Sequence, residues 1–142
     1  MLVFVIASRA LLLLAAWRLN PLCLALSPLA IVVLLGYSYT KRFTWAAHLA
    51  LGLALAGAPL GAWIAVTGSF AAAPFVLAGI VVTWVAGFDV LYALQDEAFD
   101  RARGLASIPA RFGSVAALAI SAALHLVTLA LLAALPFVYP PG

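Results

Sequence analysis

Long apolar stretches, interrupted only by short polar ones, decide what this chain can fold into. Of its 142 residues, 68% are hydrophobic and 8% are charged, whereas a soluble domain is nearer half apolar and a quarter charged. A water-soluble core could not hide this much apolar surface, so the sequence predicts an integral, all-α membrane protein with five transmembrane helices. The predicted helices cover residues 2–17, 21–39, 45–66, 74–94 and 115–135, and residues 95–114 form a polar loop at the membrane surface.

A few residues mark the ends of these helices. Asn20-Pro21 is typical of a helix start, with Asn as the N-cap and Pro at the first helical position. Gly104 is expected to end a helix, and Ser107 can open a short new turn. The single cysteine, Cys23, excludes an internal disulfide and is interpreted as a small packing residue. We predict one transmembrane helical domain over residues 1–142, and a partial one.

The first residues of the sequence do not have the pattern of a signal peptide. Met1 runs directly into LVFVIA with no basic residue before the apolar run, so a cleaved signal peptide is not expected. The chain reads as though it begins inside a helix, which predicts a fragment or a late start. Arg9, in the middle of the first apolar stretch, must snorkel or face a partner helix.

The charges are distributed unevenly between the two ends of the predicted helices. Five of the seven basic residues lie in alternate loops on one side of the membrane. Of the other two, Arg18 lies on the opposite side and Arg9 lies within a predicted helix. This bias places the richer side in the cytoplasm. The basic residues on that side are Lys41, Arg42, Arg101, Arg103 and Arg111.

All of the acidic residues lie in one segment, residues 87–113: Asp89, Asp96, Glu97 and Asp100. On one continuous α-helix, Asp89, Asp96 and Asp100 would fall within an arc of roughly 40°, with Tyr92 beside them. Asp89 would lie about 10 Å deeper than Asp96, and an ionisable group at that depth costs on the order of 2.5–3.5 kcal/mol. Three carboxylates on one stripe repel each other unless a cation, usually a hard divalent one, lies between them.

The spacing of Asp96 and Asp100 favours a shared magnesium ion, because both are expected where water reaches the end of the helix. Magnesium in proteins bridges a carboxylate to a phosphate more readily than it is caged by protein alone. The basic residues of the same face would bind the remaining phosphate charge. A diphosphate head on a long hydrocarbon tail is therefore the predicted ligand.

Each of these residues also has a simpler interpretation. The Asp96/Asp100 pair can be a solvated helix end, and Asp89 can relay protons or make a packing hydrogen bond. Lys41 and Arg42 can act as topology determinants alone. His48 and His125 are isolated in the sequence and are interpreted as structural.

Taken together, the polar residues resemble a motif of the UbiA-type intramembrane prenyltransferases. Their sequence pattern is similar to that of the bacterial 4-hydroxybenzoate polyprenyltransferase group. Residues 36–44 and 51–63 are similar to two further helices of that family. The motif reads Asp89-x-x-Tyr92-x-x-Gln95-Asp96-x-x-x-Asp100, then Gly104-Leu105-x-Ser107-Ile108-Pro109-x-Arg111-Phe112-Gly113.

The resemblance implies an enzyme that transfers a polyprenyl group from its diphosphate to an aromatic acid, with Mg²⁺ as cofactor and 4-hydroxybenzoate as the first candidate acceptor. The product would serve ubiquinone or menaquinone biosynthesis at the bacterial inner membrane. Membrane lipid is an expected partner and nucleic acid is not. The implied catalytic residues are Asp89, Tyr92, Asp96 and Asp100; the implied metal ligands are Asp96 and Asp100; and the implied diphosphate-binding residues are Lys41, Arg42, Arg103 and Arg111.

Two features of the family pattern are missing. Family members carry an earlier NDxxDxxxD motif and nine transmembrane helices, whereas no acidic residue precedes Asp89 here. The chain therefore resembles helices three to seven of such an enzyme, with the missing helices as partners, and we expect it to be inactive alone. The alternatives are a proton- or cation-coupled transporter module and an inactive remnant or structural subunit.

Overall fold

A computed structural model of the chain describes residues 2–40 and 42–139, and every regular element in those two ranges is a helix. The predicted all-α architecture is confirmed. In chain order the helices are α1 (Leu2–Leu19), α2 (Pro21–Thr40), α3 (Ala47–Thr67), α4 (Ala72–Ala93), α5 (Glu97–Arg103), α6 (Ile108–Phe112) and α7 (Ser114–Val138).

Four helices of the described chain are long and apolar enough to cross a membrane: α2, α3, α4 and α7. The remaining predicted crossing corresponds to α1, an 18-residue helix that contains Arg9 and Arg18. The bounds of the five long helices differ from the sequence prediction by one to three residues. Helix α3 begins at Ala47, and α7 continues through Pro136 to Val138.

Helix α4 lies at the centre of the array, between α3 on one side and α7 on the other. Helix α2 packs on the outer side of α3, and α1 packs on α2 at the periphery. The short helices α5 and α6 lie in the α4–α7 connection, where α6 contacts both of these long helices. The ends of α2 and α4 and the starts of α3 and α7 therefore meet at one end of the molecule.

Small residues let the central helices approach closely. A Cβ atom added to Gly52 of α3 would lie 2.5 Å from the Val82 carbonyl oxygen of α4. A Cβ atom added to Gly87 of α4 would lie 2.8 Å from the His125 ring of α7. In lipid, such close packing takes over the role that the hydrophobic effect plays in water. Many of the most buried residues of the long helices are accordingly small or β-branched, with Ala86 and Ala117 both fully buried.

At the opposite end of the array, Asn20 connects the start of α2 to the end of α3. Its side-chain oxygen accepts the Cys23 N–H at 2.9 Å, which caps α2 as the Asn20-Pro21 pair predicts. Its side-chain amide donates to the Ile64 carbonyl at 2.8 Å and the Ala65 carbonyl at 3.3 Å, near the end of α3. The Asn20 side chain thus hydrogen-bonds to backbone groups at the ends of two helices.

Candidate functional site

A cavity of about 230 Å³ opens at the end of the molecule where α2 ends, α3 begins and α4 ends. Its apolar walls include Ala47, Leu51 and Ala93. Its polar lining groups are Tyr37, Ser38 and Thr40 of α2, His48 of α3, and Asp89, Tyr92 and Asp96 of α4 and the turn that follows it. The structure therefore brings together three of the sequence-predicted site residues: Asp89, Tyr92 and Asp96.

Asp89 is fixed by a partner on the neighbouring helix. Its Oδ2 lies 2.7 Å from His48 Nδ1, and its side chain retains 35% of its exposure, whereas that of His48 retains only 3%. The other ring nitrogen, His48 Nε2, accepts the Ile108 N–H at 3.3 Å. Asp89 is thus held at the cavity by one oxygen.

Helix α4 does not continue through the acidic segment. The N–H groups of residues 94–97 donate to carbonyls three residues back, which is the 3₁₀ pattern. A 3₁₀ turn advances about 120° per residue where an α-helix advances about 100°, so each tightened residue rotates the following chain by about 20°. The prediction that Asp89, Asp96 and Asp100 share one stripe of a continuous helix is therefore wrong.

Asp96 and Asp100 consequently occupy different environments. Asp96 is exposed and lines the cavity. Asp100 lies in α5 and is completely buried, so the expectation that water reaches both carboxylates is wrong for Asp100. In the two ranges that the structure describes, no group of three or more His, Cys, Asp or Glu side chains is arranged to hold a metal ion. The shared metal site of Asp96 and Asp100 stays a prediction.

The polar segment after Asp100 is shaped by local caps. Gly104 ends α5 with a left-handed backbone (φ 65°), a conformation that glycine adopts without strain. Ser107 begins α6 as its N-cap and accepts the Ala110 N–H at 3.3 Å. These turns return the chain to α4, where Ile108 packs with Val90 and Ala117.

Three of the predicted diphosphate-binding residues, Arg42, Arg103 and Arg111, are not among the residues that line the cavity. Lys41 falls outside the described residues. Three arginines are exposed at the same end of the molecule, each over an aromatic ring at 5.3–5.8 Å. They are Arg42 over Tyr39, Arg103 over Phe99 and Arg111 over Phe112. Their role in phosphate binding stays a prediction.

Tyr92 presents an aromatic surface at the cavity. Its side chain is 56% exposed, and its ring packs against that of Phe88 at 5.0 Å. It lies one helical turn after Asp89 and one turn before Asp96. A hydroxyl, two carboxylates and an aromatic ring therefore share the α4 side of one cavity.

Sequence reasoning missed the part that His48 plays, because its partner is 41 residues away. The sequence does contain one indication of this contact, because consecutive transmembrane helices such as α3 and α4 run antiparallel. His48 follows the start of α3 and Asp89 precedes the end of α4, so both lie at similar depth. The structural interpretation of His125 fits its surroundings, since its Nδ1 donates to the Ser121 carbonyl of the same helix at 2.8 Å.

Comparisons with known proteins agree with each other. The model of the UbiA prenyltransferase family matches residues 1–142. A 4-hydroxybenzoate solanesyltransferase of Synechocystis is 39% identical over 69% of this chain and 34% of its own length. A 4-hydroxybenzoate octaprenyltransferase of Vibrio atlanticus is 36% identical over 87% of this chain and 43% of its own length.

A solved structure has the same fold. The apo structure of a UbiA homolog from Aeropyrum pernix superposes with a TM-score of 0.91 at 38% sequence identity. The match covers 97% of this chain and 53% of that protein. The chain thus spans about half the length, or less, of the proteins it matches.

Proposed function

Since this chain belongs to the UbiA prenyltransferase family, we propose that it forms the central part of an integral membrane enzyme that transfers a polyprenyl group from its diphosphate to an aromatic acid. The names of the matched relatives make 4-hydroxybenzoate the first candidate acceptor. Quinone biosynthesis, by way of ubiquinone or menaquinone, is the pathway such a product would enter.

One observation carries the proposal. The cavity at one end of an apolar helix array is lined by both Asp96, in the turn that follows α4, and Asp89, which lies in α4 about two turns earlier. A diphosphate needs a charged environment near water, and a polyprenyl tail needs lipid or apolar protein. Apolar helices ending in a carboxylate-lined cavity provide both within one site.

The donor chemistry at the cavity fits Mg²⁺ as cofactor. Magnesium is bound in proteins by one or two carboxylates, with phosphate oxygens and waters completing its octahedron. Asp96, whose carboxylate is exposed at the cavity, is the first residue that would hold it. Asp100, the second candidate, is buried in α5 and would have to become exposed to join it. When bound, the metal would neutralise charge on the diphosphate as it leaves.

The residues of the chain supply the other parts of the reaction. Breaking the carbon–oxygen bond of the prenyl diphosphate sends its electron pair to the diphosphate, for which Lys41, Arg42, Arg103 and Arg111 are the candidate binding residues. The apolar walls keep water away from the allylic cation. A carbon–carbon bond forms with the ring, and the displaced ring proton goes to the Asp89 carboxylate.

Orientation follows from the charge bias. The end of the molecule with the cavity also carries Arg42, Arg101, Arg103 and Arg111, and the opposite end carries Arg18. Under the positive-inside rule the cavity faces the cytoplasm, and in a bacterium the protein lies in the inner membrane. Tyr92, at the cavity, is proposed to pack against the aromatic acceptor.

We further propose that the 142-residue chain does not turn over alone. All of its acidic residues lie between Asp89 and Asp100, so it holds one carboxylate cluster where the family resemblance implies two. This chain covers 43% of the Vibrio atlanticus relative and 53% of the Aeropyrum pernix protein, and a second cluster would lie in the remainder of such an enzyme.

The proposal is tested by ligand binding to the purified chain in lipid nanodiscs. We expect a polyprenyl diphosphate to bind in the presence of Mg²⁺ and to lose affinity when EDTA is added, and we expect the corresponding polyprenyl alcohol to bind without metal dependence. Metal-independent binding of the diphosphate would contradict the assignment. Proton flux into proteoliposomes, without diphosphate binding, would instead indicate a transporter module.

A further inference from the structure

One buried imidazole connects three helices at the cavity. His48, in the first turn of α3, is 2% exposed. Its Nδ1 lies 2.7 Å from Asp89 Oδ2 of α4, and its Nε2 accepts the N–H of Ile108, the first residue of α6. His48 is therefore the point at which the carboxylate of α4 and the start of α6 are held together.

The Ile108 N–H fixes the tautomer of His48. A backbone N–H can only donate, so Nε2 presents its lone pair and the ring proton of the imidazole is on Nδ1. The Nδ1–H then donates to Asp89 Oδ2. In a doubly protonated ring, the Nε2–H of His48 would point at the Ile108 N–H, and neither group could accept a hydrogen bond. His48 thus gives Asp89 a hydrogen bond and no countercharge.

We propose that His48 is a positioning residue for Asp89, a statement that rests on the proposed function. By holding Oδ2, it leaves Asp89 Oδ1 free of hydrogen bonds within the described chain and available to the aromatic acceptor. Through Ile108 it also ties this orientation to the polar segment that follows Asp96 and Asp100. The orientation of the Asp89 carboxylate and the position of that segment are therefore coupled.

Packing alone does not account for a histidine here. Helices α3 and α4 already approach closely at Gly52, and a buried polar ring within apolar helices is unfavourable unless its nitrogens are satisfied. His125 offers a contrast within the same molecule. Its Nδ1 donates to the Ser121 carbonyl of its own helix, and its ring packs against Trp84.

The chain is suited to a direct spectroscopic test, because its aspartates are Asp89, Asp96 and Asp100 and its histidines are His48 and His125. Nuclear magnetic resonance of the full chain in nanodiscs, with ¹⁵N in the imidazoles and ¹³C in the aspartate carboxyls, separates these groups. Each signal is assigned by its absence in a single variant. We expect a protonated Nδ1 and an unprotonated Nε2 for His48.

Two substitutions separate positioning from packing. Both His48→Asn and His48→Leu lose the imidazole Nε2 at Ile108, but Asn keeps an N–H near the position of Nδ1. We expect His48→Leu to shift the Asp89 carboxyl signal while those of Asp96 and Asp100 stay in place, and His48→Asn to restore most of the wild-type shift. His125→Asn, the matched control, should leave the Asp89 signal unchanged.

Binding measurements link the signal to function. We expect His48→Leu to weaken 4-hydroxybenzoate binding by about tenfold, the size of one hydrogen bond to a charged group, with polyprenyl diphosphate binding unchanged. An Nε2-protonated or doubly protonated His48, or equal Asp89 signals in wild type and His48→Leu, would overturn the proposal. If the wild-type chain binds no 4-hydroxybenzoate, the proposed acceptor is wrong, and the imidazole and carboxyl signals still decide the role of His48.

Discussion

The close approach of α3 and α4 at Gly52 predicts a sharp difference between two similar substitutions. In Gly52→Ala, the new Cβ would lie 2.5 Å from the Val82 carbonyl oxygen and 3.1 Å from Val82 Cα. Both are backbone atoms of the central helix, so no side chain can move aside. To reach an ordinary contact of 3.4 Å, the helices must separate by about 0.9 Å. Gly57→Ala, five residues later in α3, places its Cβ in open space.

The two variants share one energetic term and differ in the other. Replacing glycine by alanine inside a helix stabilises it by roughly 0.8–1.0 kcal/mol in both cases. Overpacking, which applies only to Gly52→Ala, costs about 1–3 kcal/mol. We therefore expect Gly57→Ala to stabilise the chain by up to about 1 kcal/mol and Gly52→Ala to be less stable than Gly57→Ala by about 1–3 kcal/mol.

Unfolding by SDS titration in mixed bicelles, followed by tryptophan fluorescence and circular dichroism, measures this difference. The same separation of α3 and α4 should lengthen the contact between His48 and Asp89, which lie on these two helices. Gly52→Ala should therefore also move the Asp89 carboxyl signal, and Gly57→Ala should not. Equal stabilities for the two variants would refute the close approach of the helices.

Other contacts give smaller, independent predictions. Asn20→Ala removes the α2 cap and both hydrogen bonds to the end of α3, so we expect a loss of about 1–2 kcal/mol in the same SDS titration; an unchanged midpoint would contradict the cap. Thr128→Val removes the hydrogen bond of 2.7 Å to Thr83 between α7 and α4, and a loss of about 0.6 kcal/mol is expected, the average for such bonds in membrane proteins. Ser121→Ala, which loses its bond to the Gly87 carbonyl, should cost a similar amount; no measurable loss in either variant would argue against polar contacts between these helices.

Features set by neighbouring residues could be predicted from the sequence. The membrane class follows from composition and from the length of the apolar stretches. The cap at Asn20 and the turn opened by Ser107 depend on side chains that bond to backbone within three residues, and the structure has both. The end of α5 at Gly104 follows from the freedom of glycine to adopt positive φ.

Features set by tertiary packing could not be predicted in the same way. Residues 94–97 contain no proline or glycine, so nothing local marks the change from α to 3₁₀ hydrogen bonding. The helical wheel placed Asp100 beside Asp96 for that reason, although Asp100 is completely buried. The contact between His48 and Asp89 depends on how α3 and α4 are aligned, which a single sequence indicates only through the order of its helices.

The proposed activity requires the Asp96 carboxylate to bind the diphosphate end of a polyprenyl ligand through Mg²⁺. Glu97 provides a matched control, because it is the next residue, carries the same charge and pairs with Arg101 at 2.8 Å without lining the cavity. The most direct measurement is the affinity of a polyprenyl diphosphate for Asp96→Asn and Glu97→Gln, with and without Mg²⁺. We predict that Asp96→Asn loses the magnesium-dependent affinity, by about tenfold or more, and that Glu97→Gln keeps it. Equal magnesium-dependent affinity in wild type and Asp96→Asn would contradict the account.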